Sequence, residues 1–327
     1  MAAPIAILGA GAWGTALAVK LAPRFGISLW ARDATQAEAL STTRRNARYL
    51  PDFVLPHAIS VTAQLDQAVQ GACCVVVATP ASGLKETIAR LPDPHVPVLW
   101  LCKGFVFEGS EVRLPHQSVA EHRRGGWGLL SGPSFAQEVA AGAPTALTLA
   151  GSAIGFAQEW AAMLRDDTLR LYASDDVVGV EVGGAVKNVL AIATGICDGL
   201  RLGDNARAAL ITRGLAEMSR LAEALGGRRD TLMGLSGLGD LVLTCTGGLS
   251  RNRQVGLLLA AAHSLPQIQR ELGHVAEGIF AARAIRELAA RERIEMPISA
   301  AVYSVLYEDM SPRAAVEALL QREPARE

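Results

Sequence analysis

The sequence predicts an α/β protein: a mostly parallel sheet domain followed by an all-α C-terminal domain. Three observations carry this expectation. Short apolar runs alternate with helical runs through the first half of the chain. A strand, a glycine turn and a helix follow one another at the N-terminus. From about Val177 the strand signals stop and only helical periodicity remains. The expected division is therefore 1–176 and 177–327.

The N-terminal unit is IAILGAGAWGTALAVK, Ile5 to Lys20. Ile5–Leu8 reads as a buried strand and Thr15–Arg24 as a helix. Between them Gly9, Gly11 and Gly14 have the spacing G-x-G-x-x-G. The first glycine permits a tight turn, and the second lets a pyrophosphate approach the backbone. The third lets the helix lie close to the strand, so that its first-turn N–H groups face the phosphates. The spacing alone also occurs in plain structural turns. Its place between a strand and a helix points to a Rossmann-like dinucleotide-binding domain.

Further strands are predicted at Ile27–Ala31, Ala58–Val61, Cys73–Ala78, Val96–Cys102, Gly128–Leu130, Thr145–Leu149 and Leu169–Tyr172. Helices are predicted among them at Ala34–Ser41, Leu65–Val69, Gly83–Ala89, Phe135–Ala140 and Ile154–Leu164. Such alternation means βαβ units and a sheet covered on both faces. The helical domain is expected to comprise Gly183–Leu200, Ala206–Leu225, Arg253–Ala262, Gly278–Arg291, Ile298–Tyr307 and Pro312–Leu320.

Composition narrows the function classes. The 327 residues are 50% hydrophobic and 19% charged, enough for two cores and unlike a disordered chain. A formal net charge of −1 argues against nucleic acid or an anionic membrane as partner. Cys73, Cys74, Cys102, Cys197 and Cys245 lack metal-ligand spacing. They read as reduced residues of a cytoplasmic protein, and no metal site is signalled. The N-terminus lacks the charged and apolar regions of a signal peptide. The apolar stretch Val177–Ile196 is interrupted by Glu181, Lys187 and Asn188, so no membrane span is expected. The apolar helical domain is compatible with a homodimer.

The end of the second strand selects the dinucleotide. An acid there binds the ribose 2′-OH of NAD, whereas an arginine accommodates the 2′-phosphate of NADP. Arg32-Asp33 follows Ile27–Ala31. Asp33 heads a capping box with Gln36. That leaves Arg32 for the nucleotide, so NADPH is preferred and NAD is the lesser cofactor. The competing reading of Arg32 is a solvated surface residue.

Several residues carry candidate chemistry. Lys103 follows a strand at the edge where open α/β sheets bind ligands. Ser134 follows another and is expected to N-cap the next helix, with Gln137 at N3. Lys187 lies in an otherwise apolar helix, one turn after Gly183 and Gly184. That glycine pair suggests that something must come close, and apolar surroundings would suit the lysine to proton transfer. Asp240, in a glycine-rich apolar run, needs a partner, and Lys187 or a substrate hydroxyl could serve. Ser250 reads as an N-cap with Arg251, Asn252 and Arg253 in the first turn. Basic residues at that end oppose the helix dipole, which points to a bound anion such as a phosphate monoester. Glu277 opens another helix, where an acid is ordinary.

These pieces, in this order, resemble the bacterial-type NAD(P)-dependent glycerol-3-phosphate dehydrogenases over nearly the whole chain. The matching stretches are Gly9–Gly14, Asn46–Pro51, Cys102–Gly104, Gly132–Ala136, Gly183–Asn188, Asn205–Gly214, Gly237–Asp240, Ser250–Asn252 and Val275–Gly278. The resemblance implies reversible reduction of dihydroxyacetone phosphate to sn-glycerol 3-phosphate, supplying glycerophospholipid synthesis. It implies that Lys187 exchanges the proton. It further implies that Lys103, Gly132, Ser134, Lys187, Asp240, Ser250, Arg251 and Asn252 contact substrate. Gly9, Gly11, Ala12, Trp13, Gly14, Arg32, Tyr49, Lys103, Ala136, Arg251, Val275 and Glu277 would then line the cofactor. Many relatives carry a second basic residue where this chain has Asp33. Two other readings remain open on the residues: a β-hydroxyacid dehydrogenase, which expects a carboxylate-binding site and not a phosphate site at Ser250–Asn252, and a non-catalytic NADP-sensing protein.

Overall fold

The computed structural model describes residues 4–273 and 276–322. The chain forms two compact units, Met1–Val106 with Arg113–Val177, and Phe107–Val112 with Val178–Glu327.

The first unit is built on an eight-stranded sheet. Its strands are β1 (Ile5–Leu8), β2 (Ile27–Trp30), β3 (Ile59–Thr62), β4 (Cys74–Val77), β5 (Val98–Trp100), β6 (Trp127–Ser131), β7 (Thr145–Gly151) and β8 (Leu169–Ser174). They lie in the order β8-β7-β6-β5-β4-β1-β2-β3. All neighbours are parallel except β6 and β7, which pair antiparallel with Gly128 opposite Gly151. The run 3-2-1-4-5-6 within that order is the Rossmann arrangement. β1 is central and wholly buried, as expected of a strand covered on both faces. Its end is level with its neighbours. Leu8 stands beside Trp30 and Val77, and the chain leaves all three strands at one carboxyl edge.

Polarity hid two small hairpins from the sequence reading. One joins Arg45–Asn46 to Leu50–Val54, and the other joins Val106–Glu108 to Glu111–Arg113. Both are short and carry Arg, Asp or Glu, so no alternation marks them. Helices Pro115–His122 and Leu265–Leu272 were also unannounced; the second buries only Ile268.

The second unit is helical. The helix Val177–Gly199 runs through its centre, starting at Val177 rather than at Gly183. Its length and mean hydropathy of 1.5 would suit a membrane span, but 94% of that apolar window is buried inside the protein. It is a core helix. Around it lie the helices Asp204–Ala224, Asp240–Thr246, Arg251–Ala260, Glu277–Glu292 and Pro297–Tyr307. Two backbones meet where Gly195 faces Gly256. A Cβ on Gly195 would strike the Arg253 carbonyl, and one on Gly256 would strike the Ile192 carbonyl. This contact fixes the helix beginning at Arg251 against the one carrying Lys187.

Candidate active site

In the first unit the glycine turn has the shape of a dinucleotide cradle. Gly9 adopts φ +124°, and a Cβ there would lie 2.8 Å from the Ala78 carbonyl carbon. Gly14 packs onto the Gly9 carbonyl and the Ala78 side chain. Gly11, by contrast, faces open space within 4 Å. The backbone is thus closed on the strand side and open where a pyrophosphate would approach. The helix begins at Ala12 and Trp13, with neither a side-chain cap nor an acid in its first turn. The residues present therefore fit a dinucleotide.

The turn is braced from two directions. The Ala10 carbonyl accepts hydrogen bonds from Gln36 Nε2 at 2.9 Å and Asn46 Nδ2 at 3.0 Å. Asp33 accepts from the Gln36 N–H at 3.0 Å and caps the helix Ala34–Thr43. Asp33 is the cap that the sequence suggested, while the Gln36 side chain serves the glycine turn. Arg32 is exposed just beyond β2.

Beyond β5 and β6, three of the expected ligand residues meet. Lys103 Nζ donates to the Gly132 carbonyl at 2.9 Å, and Ser134 Oγ donates to the same oxygen at 3.0 Å. Trp13 Nε1 donates to the Ser134 carbonyl at 3.3 Å, which ties this group to the glycine turn. The expectation that Ser134 caps a helix is overturned. The helix starts at Ala136 with Phe135 at the N-cap, and the Ser134 hydroxyl turns back to Gly132.

In the second unit Lys187 is 6% exposed and Asp240 1%. Lys187 Nζ forms an ion pair with Asp240 and donates to Thr244 Oγ1 at 2.9 Å. Thr244 in turn donates to the Asp240 carbonyl at 2.6 Å. Lys187 therefore neither reaches bulk water nor sits in a purely apolar cage. Burial disfavours its charge, and the carboxylate favours it. The approach foreseen beside Gly183 is made by protein: a Cβ there would strike the Ser236 carbonyl. Ser236 belongs to the π-helical turn Leu235–Gly239, which leads directly into Asp240. Asp240 is consequently the first residue of the helix Asp240–Thr246. Thr244 escaped the sequence reading, although it follows Asp240 by one turn on the same helix face.

Ser250 caps the helix Arg251–Ala260, accepting from the Arg253 N–H at 3.3 Å. The two first-turn arginines differ. Arg253 grips Asp198 through Nε at 2.9 Å and Nη2 at 2.6 Å, so its charge has a protein counter-ion. The sequence argument from opposing charges is therefore weakened at Arg253. Asn252 is buried; its Nδ2 donates to Asn188 Oδ1 at 2.9 Å, and its Oδ1 accepts from the Gly278 N–H at 3.0 Å. Asn252 thereby joins three helices. Glu277 is the first residue of the helix Glu277–Glu292. Val275 lies outside the described residues.

Comparison with known proteins places the chain in a family. Residues 4–157 match the NAD-dependent glycerol-3-phosphate dehydrogenase N-terminus, and residues 176–317 match its C-terminus. A protein of Dechloromonas aromatica named glycerol-3-phosphate dehydrogenase (NAD(P)+) is 56% identical, over 99% of each chain. One of the same name from Thiobacillus denitrificans is 55% identical over 98% of each. The crystal structure of glycerol-3-phosphate dehydrogenase from Coxiella burnetii superposes with a TM-score of 0.94. It is 43% identical and covers 98% of this chain and 99% of its own. The chain belongs to the NAD-dependent glycerol-3-phosphate dehydrogenase family.

Proposed function

We propose that this protein reversibly reduces dihydroxyacetone phosphate to sn-glycerol 3-phosphate in the cytoplasm, supplying glycerophospholipid synthesis. Its substrate is a small phosphate ester, and its cofactor is NAD(P)H with NADPH preferred. The observation that carries the reading is the buried Lys187–Asp240–Thr244 cluster, in a chain whose relatives bear that name.

A bound nicotinamide would supply the hydride for the carbonyl carbon. The rest falls to the chain. Lys187 Nζ gives a proton to the developing alkoxide, and Asp240 and Thr244 hold that nitrogen in one place. In the first unit we assign Lys103, Gly132 and Ser134 to the substrate. In the second we assign Asp240, Ser250, Arg251 and Asn252, together with Lys187 itself. Arg251 stands at a helix N-terminus whose dipole favours a dianion, so phosphate binding energy serves to orient the carbonyl. For the nucleotide we assign Gly9, Gly11, Ala12, Trp13, Gly14, Arg32, Tyr49, Lys103, Ala136, Arg251, Val275 and Glu277. Asp33 caps a helix through its carboxylate, which favours Arg32 as reader of the 2′-phosphate.

The test follows NADPH absorbance with dihydroxyacetone phosphate and, separately, with the keto form of a hydroxy acid. Oxidation is expected with the phosphate ester only. Turnover of the keto acid alone would favour a β-hydroxyacid dehydrogenase. No turnover of either would favour a nucleotide sensor.

A further inference from the structure

The helix Val177–Gly199 carries Lys187 and, near its other end, Asp198. The interval between them is about three turns, so both side chains leave the helix on one face, about 16 Å apart along its axis. Lys187 meets the helix Asp240–Thr246 there, and Asp198 meets the helix Arg251–Ala260. One continuous helix thus spans the proton donor and the element that begins with Arg251 and Asn252.

Small residues bring those two helices close. Gly195 lies on Gly256, and a Cβ on Gly199 would strike the Ala260 side chain. Such a contact sets how near the helices lie but interlocks few side chains, so their register along the axis falls to polar pairs. Asn252 makes one, to Asn188 beside Lys187. Arg253 makes the other, at the far end. Its Nε and Nη2 both donate to Asp198 Oδ2, at 2.9 and 2.6 Å. The second carboxylate oxygen, Oδ1, accepts from Arg207 Nη1 at 2.9 Å. Arg207 lies in Asn205–Gly214, a stretch from which the site above takes no residue, and it also donates to Asp204 at 2.7 Å. Asp198 is therefore held by an arginine on each oxygen, with its side chain 11% exposed. With only the Asn252 bond, the Arg251 helix could pivot about its first turn; the Asp198 pair opposes that motion.

We propose that Asp198 is a positioning residue for the reduction. Through Arg253 it sets the register of the helix Arg251–Ala260 on the helix carrying Lys187, and so the separation between the phosphate-binding end of the site and the proton donor. The proposal rests on the reading that Ser250, Arg251 and Asn252 hold the phosphate.

Steady-state rates are measured with NADPH and dihydroxyacetone phosphate for wild type, Asp198→Asn, Arg253→Gln and the double variant, beside melting curves and nucleotide Kd. Asp198→Asn should raise KM for dihydroxyacetone phosphate about tenfold, because part of the phosphate binding energy then goes into restoring the register. kcat and the nucleotide Kd should stay within about twofold of wild type. Arg253→Gln should do the same, and the double variant should be no worse than either, since both act through one contact. A residue that only stabilised the fold would lower the melting temperature and the active fraction with KM unchanged. That result overturns the proposal, and so do additive losses in the double variant. Should Asp198→Asn fail to fold, Arg207→Gln carries the test from the more exposed side of the cluster. A KM rise of about threefold, the scale of one exposed ion pair, supports the proposal, and an unchanged KM overturns it. Arg251→Gln is run as the control. If it raises KM while Asp198→Asn does not, the positioning proposal alone falls; if neither raises KM, the phosphate reading falls with it.

Discussion

Lys187 and Asp240 stand 53 positions apart in the chain and meet as a buried ion pair. Each needs the other. A lone ammonium or carboxylate at that depth would be unstable, and the Thr244 hydroxyl gives the ammonium a second acceptor.

Lys187→Ala should abolish turnover while leaving the nucleotide Kd near wild type, because the glycine turn is untouched. It should also cost about 3–5 kcal/mol of stability, since it strands Asp240. Replacing the pair together, Lys187→Met with Asp240→Leu, should recover much of that stability and none of the activity. Denaturant titration beside a rate assay checks both. A single variant with near wild-type rate would remove Lys187 from proton transfer.

Arg32→Ala should weaken NADPH by about tenfold and NADH much less, as loss of one arginine–phosphate contact implies. Equilibrium titration with each nucleotide decides it. Equal losses for the two would mean that Arg32 does not distinguish them.

Glu217 offers a pH test away from the chemistry. Its carboxylate caps the helix Pro297–Tyr307 from a distance, accepting from the Ile298 N–H at 2.6 Å, the Ser299 N–H at 3.1 Å and the Ser299 hydroxyl at 3.0 Å. Burial pushes its pKa up, against the pull of those hydrogen bonds. A folded pKa above the unfolded one means that the fold favours the protonated form. That contribution is fully present below the unfolded value of about 4.3 and is lost as pH rises through the raised folded value. Relative to Glu217→Gln, wild type should therefore lose stability as pH climbs above about 4. Paired denaturation curves across that range measure it, and a flat difference would contradict a raised pKa.

The glycine turn was legible because its function is local. Strand, turn and helix are contiguous, so Gly9, Gly11 and Gly14 declare their roles by spacing alone. The caps at Asp33 and Ser250 were legible for the same reason: each hydrogen bond spans three residues. Ser134 looked like another cap, but the helix starts later, at Ala136, and the hydroxyl instead turns back two residues to Gly132, an equally local bond that the same residues allow. Gly183 was recognised as a place of close approach, but the approaching group, Ser236, lies far along the chain. Arg253 pairs with Asp198, 55 positions away, which no local pattern discloses.

By itself the sequence determined the order of the eight sheet strands and of most helices, the nucleotide cradle and the need of Lys187 and Asp240 for partners, since these follow from short-range periodicity, backbone freedom and the cost of burying charge. Only the tertiary structure decided which groups answer those needs. The Gly195–Gly256 contact sets the Arg251 helix against the Lys187 helix, and the Ser236 turn brings Asp240 to Lys187. Such pairings depend on how far backbones can close upon one another, and that distance is fixed by packing between segments remote in sequence.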